Sequence, residues 1–229
     1  MKIGLCISVI VLLARTAAAG DDTGTKAFDR LTTAAHNAQQ SVKTIRSDHP
    51  LLGEYLDEVD STAKDLSALY RTSLKKKQAP NRLPGLYLTS LDADSAALEL
   101  FADKEKLSIE ERTKAAGAIQ GDLSLKYEFA AELPGGTFPS VIEVTVDTVH
   151  GDGQPANGLW VRCNPSLDGV TKHPMFLFNS ATTPTTSFLP PGYLVMWIES
   201  SSGGFVVAQQ DMKLGEGGKN KVTIRFPVP

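Results

Sequence analysis

The sequence predicts an α+β protein, with an N-terminal helical hairpin or bundle followed by a C-terminal antiparallel β-sandwich. The apolar spacing changes from a helical period of 3.6 to a strand period of 2 near residue 138. A segment dense in proline and glycine, 134–139, separates the two patterns. We therefore expect a leader over residues 1–19, a helical region over 20–133 and a β-domain over 134–229.

The first 19 residues have the pattern of a secretory signal peptide. Lys2 supplies a positive start, residues 3–14 form an apolar stretch of twelve, and Ala17–Ala19 offer small residues for cleavage before Gly20. The apolar stretch is shorter than the roughly 20 residues that a membrane-spanning helix needs. An uncleaved anchor is the alternative. We expect a secreted, periplasmic or cell-surface protein, without a transmembrane segment after signal cleavage.

Charge and cysteine content narrow the classes of partner and fold. Cleavage of the signal peptide would remove two basic residues, Lys2 and Arg15, and no acidic ones. The remaining chain would have 21 basic and 26 acidic residues, a net charge of −5. An acidic chain disfavours nucleic acid as a partner, because phosphate binding needs a basic surface. Cys163 is then the only cysteine, so no intramolecular disulfide forms, and we expect its thiol to be buried as a small apolar group.

A single apolar stripe with steps of three and four residues predicts helix over much of the first half. Pro50 interrupts the stripe, and proline is disfavoured inside a helix. Two interpretations stay open: a hairpin with its turn around residues 47–51, or one long helix kinked near Pro50. We favour the hairpin, because proline suits the first turn of a helix. The stripe comprises Phe28, Leu31, Ala35, Ala38, Val42, Ile45, Leu52, Leu56, Val59, Ala63, Leu66 and Tyr70.

Two further helices are predicted before the β half. Leu91, Ala97, Leu98 and Phe101 indicate a short third helix, with Asp92 or Asp94 near its N-terminus. A fourth helix opens at Ser108–Glu111, which has the pattern of a capping box. We extend that helix to about Leu133. Residues 123–131 also alternate in the manner of a strand, so helix or strand stays open there.

The β half is organised around the segment that follows Pro190-Pro191-Gly192, where two prolines and a glycine predict a sharp corner. The next residues are apolar on both faces of a strand. Such a strand must be covered on both sides, so we place it centrally. One face comprises Leu194, Met196 and Ile198, and the other comprises Tyr193, Val195 and Trp197. Six or seven short strands in all are typical of an antiparallel sandwich.

Two motifs stand out in the β half: one comprises Asp147, Gly151 or Gly153, Pro155 and residues 158–161, and the other is the corner at residues 188–192. They resemble the opening motif and the Leu-Pro-Pro-Gly corner of the carboxypeptidase regulatory-like domain. The resemblance covers about residues 138–229. Tyr193 departs from it, because that family's tyrosine stands one place later. The resemblance implies a transthyretin-like or immunoglobulin-like sandwich that serves as an accessory module without catalytic residues.

No set of residues in the sequence predicts an active site. The four histidines lack metal-ligand spacing, and we expect neither a metal nor a cofactor. The chain is therefore predicted not to be an enzyme. The aromatic residues Trp160, Tyr193, Trp197 and Phe205 are the candidate binding residues. They form either a core between the two halves or an exposed platform for sugar rings or protein partners.

The sequence thus favours an exported, non-enzymatic interaction or structural protein whose partner is a protein or a polysaccharide at the cell envelope. Two alternatives stay open. One is a carbohydrate-binding module that uses the exposed aromatic residues. The other is an oligomerisation device built on the helical stripe between Phe28 and Tyr70.

Overall fold

The computed structural model describes residues 23–77, 79, 85–101, 107–132, 141–165, 176–178, 183–200 and 206–229. The predicted signal peptide and the predicted boundary at 134–139 lie outside these ranges. Within them the chain is α+β, with helices in the first half and strands in the second. The helices are α1 Thr23–Ser41, α2 Pro50–Lys75, α3 Gly85–Leu100 and α4 Ile109–Glu132. The strands are β1 Ile142–Val149, β2 Leu159–Pro165, β3 Phe176–Leu177, β4 Thr185–Leu189, β5 Gly192–Ser200, β6 Val206–Leu214 and β7 Lys221–Pro227.

The first two helices form an antiparallel hairpin, which confirms the favoured interpretation and rules out the single kinked helix. Asp29 near the start of α1 pairs with Arg71 near the end of α2. Gln39 near the end of α1 donates to Asp57 near the start of α2, at 2.9 Å. Pro50 is the first residue of α2. A backbone N–H at this position would have no partner within the helix, so proline costs the helix no hydrogen bond.

The third helix begins earlier than the sequence predicted. We expected Asp92 or Asp94 near its N-terminus, but the helix starts at Gly85, seven residues before Asp92 and nine before Asp94. The apolar face begins with Tyr87, which is fully buried. Asp94 is also fully buried, where it pairs with Lys126 of α4. The aspartate that resembled a helix-start signal is therefore an internal ion-pair partner.

The capping box at the start of α4 is confirmed. The Ser108 amide donates to Oε2 of Glu111 at 2.8 Å, and the Glu111 amide donates to Oγ of Ser108 at 3.2 Å. Residues 123–131 are helical, so the strand alternative was wrong. Both Ile119, which packs in the helical core, and Phe129, which packs with the strands, are buried. Since α4 is buried on more than one side, its apolar residues do not follow a single stripe.

The strands form two sheets, with the orders β4-β1-β7 and β3-β2-β5-β6. The predicted central strand is β5, which pairs with β2 on one side and β6 on the other. Antiparallel pairing was predicted throughout, and this was wrong for β1 and β7, which run parallel. The chain reaches β7 through a 3-10 turn at Glu216–Gly218, after β6 has carried it along the other sheet.

Buried residues from both sheets belong to one apolar cluster, to which α4 contributes Phe129. From β5 this cluster takes the predicted inner face of Leu194, Met196 and Ile198. Cys163 is fully buried in the same cluster, and burial raises the pKa of its thiol to about 12. That thiol stays protonated at neutral pH, in agreement with the predicted apolar role.

Within the described ranges, none of the helices combines the length and the apolar character that crossing a membrane would require.

Candidate binding surface

The Pro190-Pro191-Gly192 corner lies directly against α4. Oδ1 of Asp122 accepts a hydrogen bond of 2.7 Å from the backbone N–H of Tyr193. Gly192 has a positive φ of 143°, and a Cβ atom at this position would overlap Oδ1 of Asp122. Gly121 allows the Tyr193 ring to approach, because a Cβ atom there would lie 2.7 Å from Cε2 of the ring. We call these four residues, Gly121, Asp122, Gly192 and Tyr193, the corner clamp.

Asp122 also belongs to a buried ion triad with Asp94 and Lys126. The Lys126 ammonium contacts Oδ2 of Asp122 and lies 3.1 Å from Oδ2 of Asp94. All three side chains are at most 2% exposed. Burial lowers the pKa of Lys126, because a low-dielectric surrounding disfavours the ammonium, while the neighbouring Asp94 carboxylate opposes that change. The triad thus links α3, α4 and, through the clamp, β5.

The outer face of the four-stranded sheet carries a second group, which we call the Trp–Arg–Glu cluster: Trp160, Arg162, Trp197 and Glu199. Arg162 lies opposite Trp197, and Trp160 lies opposite Glu199, so all four share one face of β2 and β5. Nε of Arg162 donates to Oε2 of Glu199 at 2.6 Å, and Nε1 of Trp197 donates to Oε1 at 2.8 Å.

The cluster places two half-buried indoles beside one ion pair. The Arg162 guanidinium lies 5.9 Å from the ring centroid of Trp160, within the range of a cation–π contact. The hydrogen bonds from Trp197 and Arg162 hold the pKa of Glu199 below its ordinary value, because they favour the carboxylate. The surface therefore combines two partly exposed aromatic rings with an ion pair that orients them.

Replacement of Glu199 by glutamine tests this electrostatic arrangement. The folded-state pKa of Glu199 is lowered, so the stabilisation is fully present above its ordinary value of 4.5 and is lost as the pH falls through the lowered value. We expect Glu199→Gln to reduce the free energy of unfolding by about 1 kcal/mol at pH 7. Urea unfolding of both proteins from pH 7 toward pH 3 should show this difference shrinking. A difference that grows in acid would contradict the assignment.

The structure separates the four candidate residues that the sequence indicated. Trp160 and Trp197 share the outer face of the sheet, with the two charged residues between them. Tyr193 lies on the same side of β5, but its ring packs against Gly121 of α4, and the Lys213 ammonium lies 5.8 Å from its centroid. Phe205 lies outside the described residues.

Sequence reasoning missed the charged members of the cluster. Arg162 and Glu199 are 37 positions apart, and only the pairing of β2 with β5 brings them together. A signal was present, since Trp-x-Arg and Trp-x-Glu each place an aromatic and a charged residue on one face of a strand. Across the described ranges, no three histidine, cysteine, aspartate or glutamate side chains form a group suited to a metal ion.

Comparison with known proteins assigns no family. No protein-family model matches the chain, and no curated protein matches it. Among solved structures, one described as the crystal structure of (S)-allantoin synthase is similar to this chain at 11% identity. Its TM-score is 0.27, and the match covers 78% of this chain and 90% of that one. So distant a likeness gives no information about the fold or the function of the chain described here.

Proposed function

We propose that this protein is an exported, non-enzymatic binding protein whose contact surface is the Trp–Arg–Glu cluster on the outer face of the four-stranded sheet. The observation that carries the proposal is that Trp160 and Trp197 stay partly exposed on one face, where each contacts a member of the Arg162–Glu199 ion pair. Helix α4 covers the Tyr193 end of the same face.

The proposed framework is a transthyretin-like β-sandwich, related to carboxypeptidase regulatory-like domains, attached to a helical bundle. The single apolar cluster shared by the two sheets supports two packed layers. The corner clamp supports a rigid attachment, because its contacts join β5 to α4. The amino-terminal signal pattern supports export to the periplasm, the cell surface or the medium.

A polysaccharide is the ligand class that the cluster favours over a protein partner. Indole rings stack on the apolar faces of sugar rings, and a neighbouring carboxylate and guanidinium hydrogen-bond to sugar hydroxyls. Arg162 has donors beyond the Nε–H that it gives to Glu199, so it can contact a ligand without losing its ion pair.

Pull-down on insoluble envelope and plant polysaccharides tests the proposal. Trp160→Ala and Trp197→Ala should each reduce the retained fraction at least about tenfold, because aromatic anchors dominate such contacts. Phe188→Ala is the matched control, since Phe188 is an aromatic residue, 56% exposed, on β4 of the other sheet. Retention that is unchanged in both tryptophan variants, while circular dichroism shows them folded, would contradict the proposal.

A further inference from the structure

A groove of about 460 Å³ lies between the two helices of the hairpin, in a part of the molecule distant in sequence from the sheet surface. From α1 it is lined by Thr32, Thr33, His36 and Asn37, and from α2 by Lys64, Ser67, Ala68 and Arg71. Small side chains form much of the lining, which leaves the space open. No aspartate or glutamate is among these eight residues, but the Asp60 carboxylate lies next to the lining, with Oδ1 3.9 Å from Nδ1 of His36.

Two cations flank the groove on the same helix. Lys64 and Arg71 are seven positions apart, which is two helical turns or roughly 10 Å along α2. Each is oriented by one carboxylate outside the lining: Nζ of Lys64 lies 2.6 Å from Oδ2 of Asp60, and Arg71 pairs with Asp29. These pairs fix the positions of the two cations without using all of their donors. A lysine ammonium has three N–H donors and a guanidinium has five.

The neutral lining residues add the Asn37 amide as a donor, while the two threonines offer only hydroxyl oxygens. The hydroxyls of Thr32 and Thr33 bond to backbone carbonyls of their own helix, which leaves their oxygens able to accept but fixes the side chains in place. Ser67 is nearly buried, and Asn37 and His36 lie on the opposite wall from Lys64. A ligand in this groove therefore meets two oriented cations together with amide, hydroxyl and imidazole groups.

We propose that the hairpin groove binds a small soluble ligand through a phosphate or sulfate group. An oxyanion matches a lining that carries two cations and the Asn37 amide and contains no carboxylate, and guanidinium groups bind such oxyanions in bidentate geometry. Lys64, two helical turns away on the same helix, adds positive charge to the groove without contacting the same oxyanion. Because the side chains of both cations are more than half exposed, solvent and salt screen the attraction, so we expect weak binding that depends on ionic strength.

The test uses the ¹⁵N-labelled mature chain, titrated with inorganic phosphate, then with sulfate, at low ionic strength and with chloride as the salt control. We expect saturable shifts confined to the amides of residues 32–37 and 64–71. The variant Lys64→Gln/Arg71→Gln should bind phosphate at least about tenfold more weakly. Lys114→Gln is the control, because Lys114 also pairs with a carboxylate four residues away but lies on α4.

Three results would overturn the proposal. One is a response to phosphate and sulfate no larger than the response to chloride. Another is saturable shifts at residues outside the groove, a result that is read on the unmodified chain and does not depend on the variant folding. The third is binding to phosphatidylglycerol vesicles without any response to the free anions, which would assign the groove to a membrane surface.

Discussion

Substitution of Gly192 by alanine should reduce the free energy of unfolding by about 3 kcal/mol, the largest effect we expect from adding one methyl group. Two causes act together. The backbone at Gly192 has a φ of 143°, which residues with a Cβ atom rarely adopt, and the new Cβ would overlap Oδ1 of Asp122. Relief of that overlap requires Asp122 to move, so the hydrogen bond from the Tyr193 amide is lost as well.

The measurement is thermal unfolding, in which we expect the melting temperature of Gly192→Ala to fall by roughly 6–12 °C. Gly151→Ala is the matched control. No atom lies within 4 Å of a Cβ atom placed on Gly151, so this change should alter stability by less than about 0.5 kcal/mol. Equal melting temperatures for the two variants would show that the corner does not depend on close contact with α4.

Replacement of Lys126 by methionine should destabilise the fold by about 3–5 kcal/mol, because it leaves two buried carboxylates without their shared cation. Asp94 and Asp122 are both at most 2% exposed, so water cannot take the place of the ammonium without opening the helices. Protonation of a carboxylate relieves part of the cost, and the variant should therefore lose less stability at acidic pH than at pH 7.

A second variant separates the loss of charge balance from the loss of packing. In Lys126→Met/Asp94→Asn/Asp122→Asn all three groups are neutral, and the amide oxygen of residue 122 can still accept from the Tyr193 N–H. Chemical unfolding at pH 7 should show this triple variant to be more stable than Lys126→Met alone. A triple variant that is no more stable would contradict the view that unbalanced buried charge causes the loss.

In the helical half, the sequence predicted the helix ends that depend on a few neighbouring residues. Proline at the first position of α2 and the Ser108–Glu111 cap each act over a few residues, so the sequence alone indicates them. The start of α3 was missed because acidic residues near an apolar run resemble a helix N-terminus. Only the packed bundle shows that Asp94 faces Lys126, a residue 32 positions away.

In the β half, too, local sequence patterns predicted some features, whereas the pairing of distant segments could not be predicted. Apolar residues on both faces of β5 predicted its central place, but nothing in the sequence reveals that β7 returns parallel to β1. The corner clamp joins residues about 70 positions apart, and the Trp–Arg–Glu cluster depends on the register of two strands. Sequence reasoning could therefore name Trp160, Tyr193 and Trp197, but it could not separate the tyrosine that packs on α4 from the two exposed indoles.

We expect the corner clamp to unite the helices and the sheets into one unit that presents the outer sheet face. The chain has two tryptophans, Trp160 and Trp197, both in the β half, so fluorescence follows the sheets while ellipticity at 222 nm mainly follows the helices. In urea, we expect both signals of the unmodified protein to change in a single coincident transition, and those of Gly192→Ala to separate. Two well-separated transitions in the unmodified protein would contradict the claim.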